Sequence, residues 1–178
     1  MEEDPVIGLL LLHDQLMQAS TDVESKLAHE RLKSAMRQAW NEHDFWKCNW
    51  AALGERMGVV TAGSGSQRIA VITWNIELQN RTQQYGGFII SESRDKNLVI
   101  SELIHKTNRS NRNPLDTKKR FKAETWPGAV YYDIIAKKQG NHLVFTLLGW
   151  DGADGIRSRK IVETLTIHNG KLQFGVPI

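Results

Sequence analysis

Near residue 60 of this 178-residue chain the hydrophobic residues change period, and that single switch limits what the chain can fold into. Up to Gly58 the apolar side chains recur at helical spacing. From about residue 68 they alternate every second residue, as on strands. One change from period 3.6 to period 2 argues for an α+β fold, with antiparallel helices first and a mainly antiparallel sheet after them. The expected division is 1–60 helical and 66–178 sheet, with Thr61-Ala-Gly-Ser-Gly-Ser66 as connector and both parts sharing one core.

The spacing of apolar residues predicts a first helix over Val6–Ala19, with Pro5 suited to its first turn. Thr21-Asp-Val-Glu24 fits a capping box that starts a second helix running to about Trp40. Its apolar stripe is Val23, Leu27, Ala28, Leu32, Ala35, Met36, Ala39 and Trp40. A third helical piece is expected over Phe45–Met57, closed by Gly58.

Strands follow. Ala70, Ile72, Trp74, Ile76 and Leu78 line one face, with Thr73, Asn75 and Glu77 on a polar one. Gln84–Ser91 and Leu98–Ile104 come next, then a long polar loop over 105–125. From Gly128 a four-stranded meander is expected. Val130, Tyr132, Ile134 and Ala136 alternate, Lys138–Asn141 turns the chain, and Leu143–Trp150 is bulky on both faces and so central. Asn169-Gly170 closes the last hairpin, because both positions tolerate positive φ. About seven strands are expected in all, in one sheet with the helices on one face.

Composition removes several classes. A chain with 40% apolar and 24% charged residues is globular in type. One cysteine excludes a disulfide framework and any multi-cysteine zinc site within the chain. The longest apolar run, Val6–Leu12, is too short to span a bilayer, so no transmembrane segment is expected. Glu2, Glu3 and Asp4 before it have the wrong sign for a secretory leader. Charge is uneven: residues 1–60 hold ten acids and six bases, residues 61–178 ten acids and seventeen bases. The excess gathers in Lys106, Arg109, Arg112, Lys118, Lys119, Arg120 and Lys122. Such a stretch is commonly a solvated loop, and its functional reading is a contact with a polyanion.

No nucleophile–base set, metalloprotease helix, phosphate loop or dinucleotide fingerprint is present, so the chain does not read as an enzyme. Asp151 and Asp154, in the turn Asp151-Gly-Ala-Asp-Gly155, are candidate ligands for calcium. Two acids supply at most four of the six to eight oxygens it takes, and the bland reading is a hairpin turn. The six histidines are scattered. Cys48 sits among tryptophans and reads as a small hydrophobe. Five of the six tryptophans read as core. Trp126, just before Pro127 at a loop–strand junction, is the one best placed to offer a stacking platform, though core is the commoner fate for such a ring.

Several stretches share a pattern: Arg68–Leu78 followed by Tyr85-Gly-Gly-Phe88, Trp126–Ile135, Thr146-Leu-Leu-Gly-Trp-Asp-Gly152, Arg159–Leu165 and Phe174-Gly-Val-Pro177. Together they resemble an uncharacterised family of bacterial proteins that mostly carry export signals. The resemblance covers most of 66–178 and little of the helices. It implies a sheet-rich body and a periplasmic or extracellular place, and it transfers no activity. Family members have an acidic Asp-Gly turn before the first strand, where this chain has Gly65-Ser-Gln67, which weakens the case for a cation at that turn.

The expected function is binding rather than catalysis. The candidate surface is the basic loop 106–122 with Lys118, Lys119, Arg120 and Lys122, and Trp126 at its exit. The partner would be an anionic envelope polymer or an acidic protein face. A hydrolase using Asp133, Asp151, Asp154 or Glu163 is the first alternative. A cytoplasmic nucleic-acid binder is the second, but Phe121 is the only ring in the basic stretch, against the aromatic interleaving that single strands require.

Overall fold

The computed structural model describes residues 4–93, 95–106, 120–153 and 156–175. Two helices, α1 (Pro5–Met17) and α2 (Asp22–Glu42), precede eight strands in two four-stranded antiparallel sheets, so the fold is α+β. The first sheet holds β1 (Gly58–Ala62), β2 (Ile69–Glu77), β3 (Gln83–Glu92) and β4 (Leu98–Ile104) in that order. The second is the expected meander: β5 (Val130–Gln139), β6 (His142–Asp151), β7 (Arg159–His168) and β8 (Lys171–Phe174). Among the described residues the strands thus number eight in two sheets, not seven in one. The chain passes from one sheet to the other between β4 and β5, and nothing in hydrophobic period marks such a passage.

Both helices open on a side-chain cap, that of α2 at the expected Thr21. Asp4 accepts from the Val6 N–H at 3.0 Å and opens α1. Thr21 Oγ1 accepts from the Glu24 N–H at 3.2 Å, while Glu24 reaches back to the Ser20 N–H at 2.8 Å. The expected third helix does not form. The Asp44 carboxylate takes the Trp46 N–H at 3.1 Å, and the Asp44 carbonyl takes those of Lys47 and Cys48. A side chain competing for backbone donors in this way makes a turn, not a helix. Only a short 3-10 helix, Trp50–Glu55, remains. Gly58 is not a helix cap but the first residue of β1, which takes up part of the expected connector.

The first sheet is the middle layer of three. On one side Ala70, Ile72, Trp74, Ile76, Phe88 and Ile90 meet α1, α2 and the 45–57 segment. Trp40 anchors this layer, with its ring edge-to-face to Phe45, Trp50 and Phe88 at centroid distances of 5.8, 6.3 and 5.1 Å. On the other side Ile69, Val71, Tyr85, Ile89 and Leu103 meet Tyr131, Phe145, Leu147, Leu165, Leu172 and Phe174 of the second sheet. The face of β2 expected to be polar is therefore buried at Thr73 and half-buried at Asn75, and is exposed only at its last residue, Glu77. Thr73 is fully enclosed, and its hydroxyl accepts from the Tyr131 N–H at 2.9 Å, so its one polar group is satisfied.

In β5 a bulge between Tyr131 and Asp133 breaks the expected alternation. It turns Tyr131 into the core and leaves Tyr132 half exposed. At the far hairpin Asn169 and Gly170 both take positive φ, 49° and 74°, as a two-residue turn between right-twisted strands needs.

His29 of α2 is buried edge-on to Trp74, with ring centroids 5.6 Å apart. Burial pushes its pKa from 6.5 down to about 4, with the Lys33 ammonium adding to the effect and Glu30 opposing it. In the unfolded chain the imidazole takes a proton as pH falls below its ordinary range, while in the folded one it stays neutral. Its contribution is therefore complete above about pH 6.5 and is lost as pH falls towards 4, an effect on the order of 3 kcal/mol. Urea unfolding of the protein and of His29→Phe at pH 7.5, 6, 5 and 4.5 checks this. The stability gap should shift in favour of the variant with acidification, and a gap that stays constant with pH would exclude His29 as its source.

Candidate functional site

The residues carrying the family-like pattern meet at one place between the sheets. Tyr85 of β3 crosses the layer to donate from its hydroxyl to Asp151 Oδ1 at 2.7 Å, and the same hydroxyl accepts from the Gly152 N–H at 2.8 Å. Asp151 Oδ1 also accepts from the Ala153 N–H at 3.0 Å. Beside it the Trp126 indole donates to the Tyr131 hydroxyl at 2.9 Å, and Tyr131 in turn donates to Glu163 of β7. Gly149 lies against the Tyr131 ring, where a Cβ would stand 2.8 Å from the ring carbons. The Gly-Trp-Asp-Gly run thus makes room for one tyrosine and binds another, which is a task of architecture.

These contacts decide several candidates. Trp126 is not a platform: it is 0% exposed, tilted on Tyr131 and edge-on to Tyr85, and bridged to His105. No ligand can stack on a ring so enclosed. Asp151 is 4% exposed, and its Oδ1 already holds a tyrosine hydroxyl and a backbone N–H. Asp154, Lys118 and Lys119 lie outside the described residues. Arg120 and Lys122 are exposed on either side of Phe121, which is buried and hydrogen-bonded to β8 through the paired backbones of Phe121 and Phe174. Asp133 is exposed, with one oxygen accepting from the Ile134 N–H at 2.8 Å. Among the described residues no three of His, Cys, Asp and Glu gather closely enough to hold a metal ion. No helix there is long and apolar enough to cross a membrane.

The concave site lies elsewhere, at the end of the sandwich where the turns of the second sheet approach the start of β2 and the end of β3. It is a groove of about 620 Å³. Ile69, Val99, Leu143, Phe145 and Ile167 supply apolar wall. Ser66, Gln67, Ser91, Ser93, Asn141 and Asn169 supply hydrogen-bonding groups, and His142 and His168 stand in its hairpin wall. Its volume is that of small-molecule sites in general, which run from roughly 300 to 1,000 Å³.

One ion pair sits in the wall. Arg68 and Glu92 meet in a two-point contact, Nε to Oε2 at 3.2 Å and Nη2 to Oε1 at 3.4 Å. The β2–β3 register places them one step beyond the Ile69–Ser91 pair. The guanidinium also lies over the Trp46 ring, 4.2 Å from its centroid. Arg68 therefore divides the groove from a second hollow of about 410 Å³, lined by Phe45, Trp46, Cys48, Trp50 and the edge strand β1.

The histidines and the ion pair had a faint signal in the sequence. His142 directly follows one hairpin turn and His168 directly precedes another, so alternation alone puts them at the same end of the meander. Their being side by side depends on the β6–β7 register, which sequence does not specify. Comparison with family models, curated proteins and solved structures returns no match. The resemblance to exported bacterial proteins therefore stands on the motif residues alone.

The Tyr85–Asp151 link should be worth measuring directly. Tyr85→Phe removes two buried hydrogen bonds, one to a carboxylate, while keeping the ring. A loss of about 2 kcal/mol is expected in urea unfolding, with an unchanged denaturant slope. A variant as stable as the parent would show that the link contributes nothing.

Proposed function

We propose that this chain is a non-catalytic binding protein that holds a small, net-neutral, amphiphilic molecule in the groove at the hairpin end of its sandwich. The observation that carries this reading is the groove itself, which combines apolar wall and hydrogen-bonding groups around a charge pair already balanced within the protein. Because Glu92 offsets Arg68, the wall has no uncompensated charge of its own at that point, and a neutral ligand needs no counter-ion there. Among the described residues that line the groove Glu92 is the only carboxylate, and it is committed to Arg68. Of the acids a hydrolase would use, Asp151 and Glu163 accept from buried tyrosines instead. These commitments favour binding over hydrolysis. Resemblance to exported proteins supports a place outside the cytoplasm.

Screening neutral, anionic and cationic fragments by NMR tests the reading. Neutral amphiphilic fragments should shift the amides of Ile69, Ser91, Leu143 and Phe145, and the double variant Ser66→Trp/Ser93→Trp, which fills the mouth, should abolish the shifts. Hits confined to other surfaces, or a filled groove that binds equally well, would refute it.

A second reading has one observation in its favour. Arg120 and Lys122 project from a backbone anchored to β8, so two exposed cations are held on a fixed ledge beside a sheet edge. Such a ledge suits an anionic envelope polymer or an acidic partner. Arg120→Glu/Lys122→Glu should then weaken binding to a polyanion such as heparin, and should flatten its salt dependence. Unchanged retention would dismiss the ledge.

A further inference from the structure

The meander places two imidazoles side by side. Gln139 pairs with His142 across one turn, and His168 pairs with Lys171 across the other. Between them β6 and β7 run in the register Val144 to Thr166. Two residues further along the same register His142 stands opposite His168. The rings are 5.5 Å apart between centroids, with planes at 76°. Both side chains are exposed, whereas His13 and His29 are buried and His43 and His105 half-buried. The pair is therefore the one place on the described surface where two accessible imidazoles meet.

We infer that His142 and His168 form a two-histidine site for a divalent transition-metal ion of the zinc or copper type. Imidazole nitrogen binds such ions at about 2.0–2.1 Å, which puts each ring centroid about 3 Å from the metal. Two rings on one ion at the tetrahedral angle then stand about 5 Å apart between centroids. The observed 5.5 Å between centroids is close to this separation. The two positions sit on adjacent strands, each next to a tight turn, so little backbone freedom is lost when the ion arrives. Hard cations that take only oxygen are poorly served by two nitrogens, and the affinity order of divalent ions puts copper first.

Two protein ligands leave the remaining positions of the ion to water or to an outside donor. Lys171 completes the row Gln139, His142, His168, Lys171 across the four strands. Its ammonium, exposed on a flexible stem, can turn away from a bare cation. It also favours an anionic donor as the ion's third ligand. The two rings also stand in the hairpin wall of the groove, but the inference rests on the histidine pair alone and does not require the groove to hold a ligand.

The test is titration of the full chain with Zn2+ and with Cu2+ by calorimetry, and with the copper–iminodiacetate chelate, followed by the imidazole signals in NMR. One ion per chain is expected, with broadening by Cu2+ confined to the rings of His142 and His168. Either His142→Asn or His168→Asn should weaken binding by about tenfold or more, because one of the two ligands is gone. Both positions are exposed, and unchanged thermal unfolding would show that the fold is intact. Cys48→Ser serves as the control for the one thiol and should bind as the parent does. Binding that survives the double substitution, or no binding up to millimolar metal, would overturn the assignment.

Discussion

Burial of the first sheet on both faces is the constraint on which the rest of the structure depends. A sheet between two layers cannot leave any strand face for water, so β2 and β3 are packed on either side with large side chains. A polar group caught inside needs a partner. Thr73 finds the Tyr131 backbone in the second sheet, and within the first sheet's own side the Tyr85 N–H finds His105 Nδ1 at 3.2 Å. Exchanging water for these partners gains little per bond, but leaving a group without one costs the full desolvation penalty. Such matched groups hold the second sheet in one position over the first.

The same logic explains why the most distinctive residues of the chain cluster where they do. Two buried tyrosines, one from each sheet, carry their hydroxyls to carboxylates of the second sheet. A tyrosine can be buried only if its hydroxyl is satisfied, and a buried carboxylate only if donors reach it. The pairs solve both problems together. Of the acids named from the sequence, Asp151 is thereby occupied in joining the two sheets and Glu163 in holding Tyr131 within the second.

The middle of the sandwich is used for packing, and its hairpin end stays open. At the hairpin end the turns of the second sheet stand apart from the start of β2 and the end of β3, and a groove opens between them. Its second-sheet wall belongs to strands and two-residue turns, which hold side chains more firmly than long loops do. The Arg68–Glu92 pair is only partly exposed, at 35% and 12% for the two side chains, and its stacking on Trp46 fixes the guanidinium plane. The helical layer thus reaches the groove through a single ring.

Local pattern determined a good part of this. The capping residues at Asp4 and Thr21, the helical stripe of α2, the Asn169-Gly170 turn and the four-stranded meander all follow from interactions within a few residues of each other. The α+β class follows from the switch of period. Tertiary structure alone decided the rest. It split the strands into two sheets, buried Thr73 and enclosed Trp126, whereas the helix expected at Phe45 is refused by a local contact in which the Asp44 carboxylate takes the Trp46 N–H. It also set Arg68 against Glu92 and His142 against His168. In each case the deciding partner comes from a distant segment, or from a side chain competing with the backbone. Hydrophobic period reports which face of an element is apolar, but not what will cover that face.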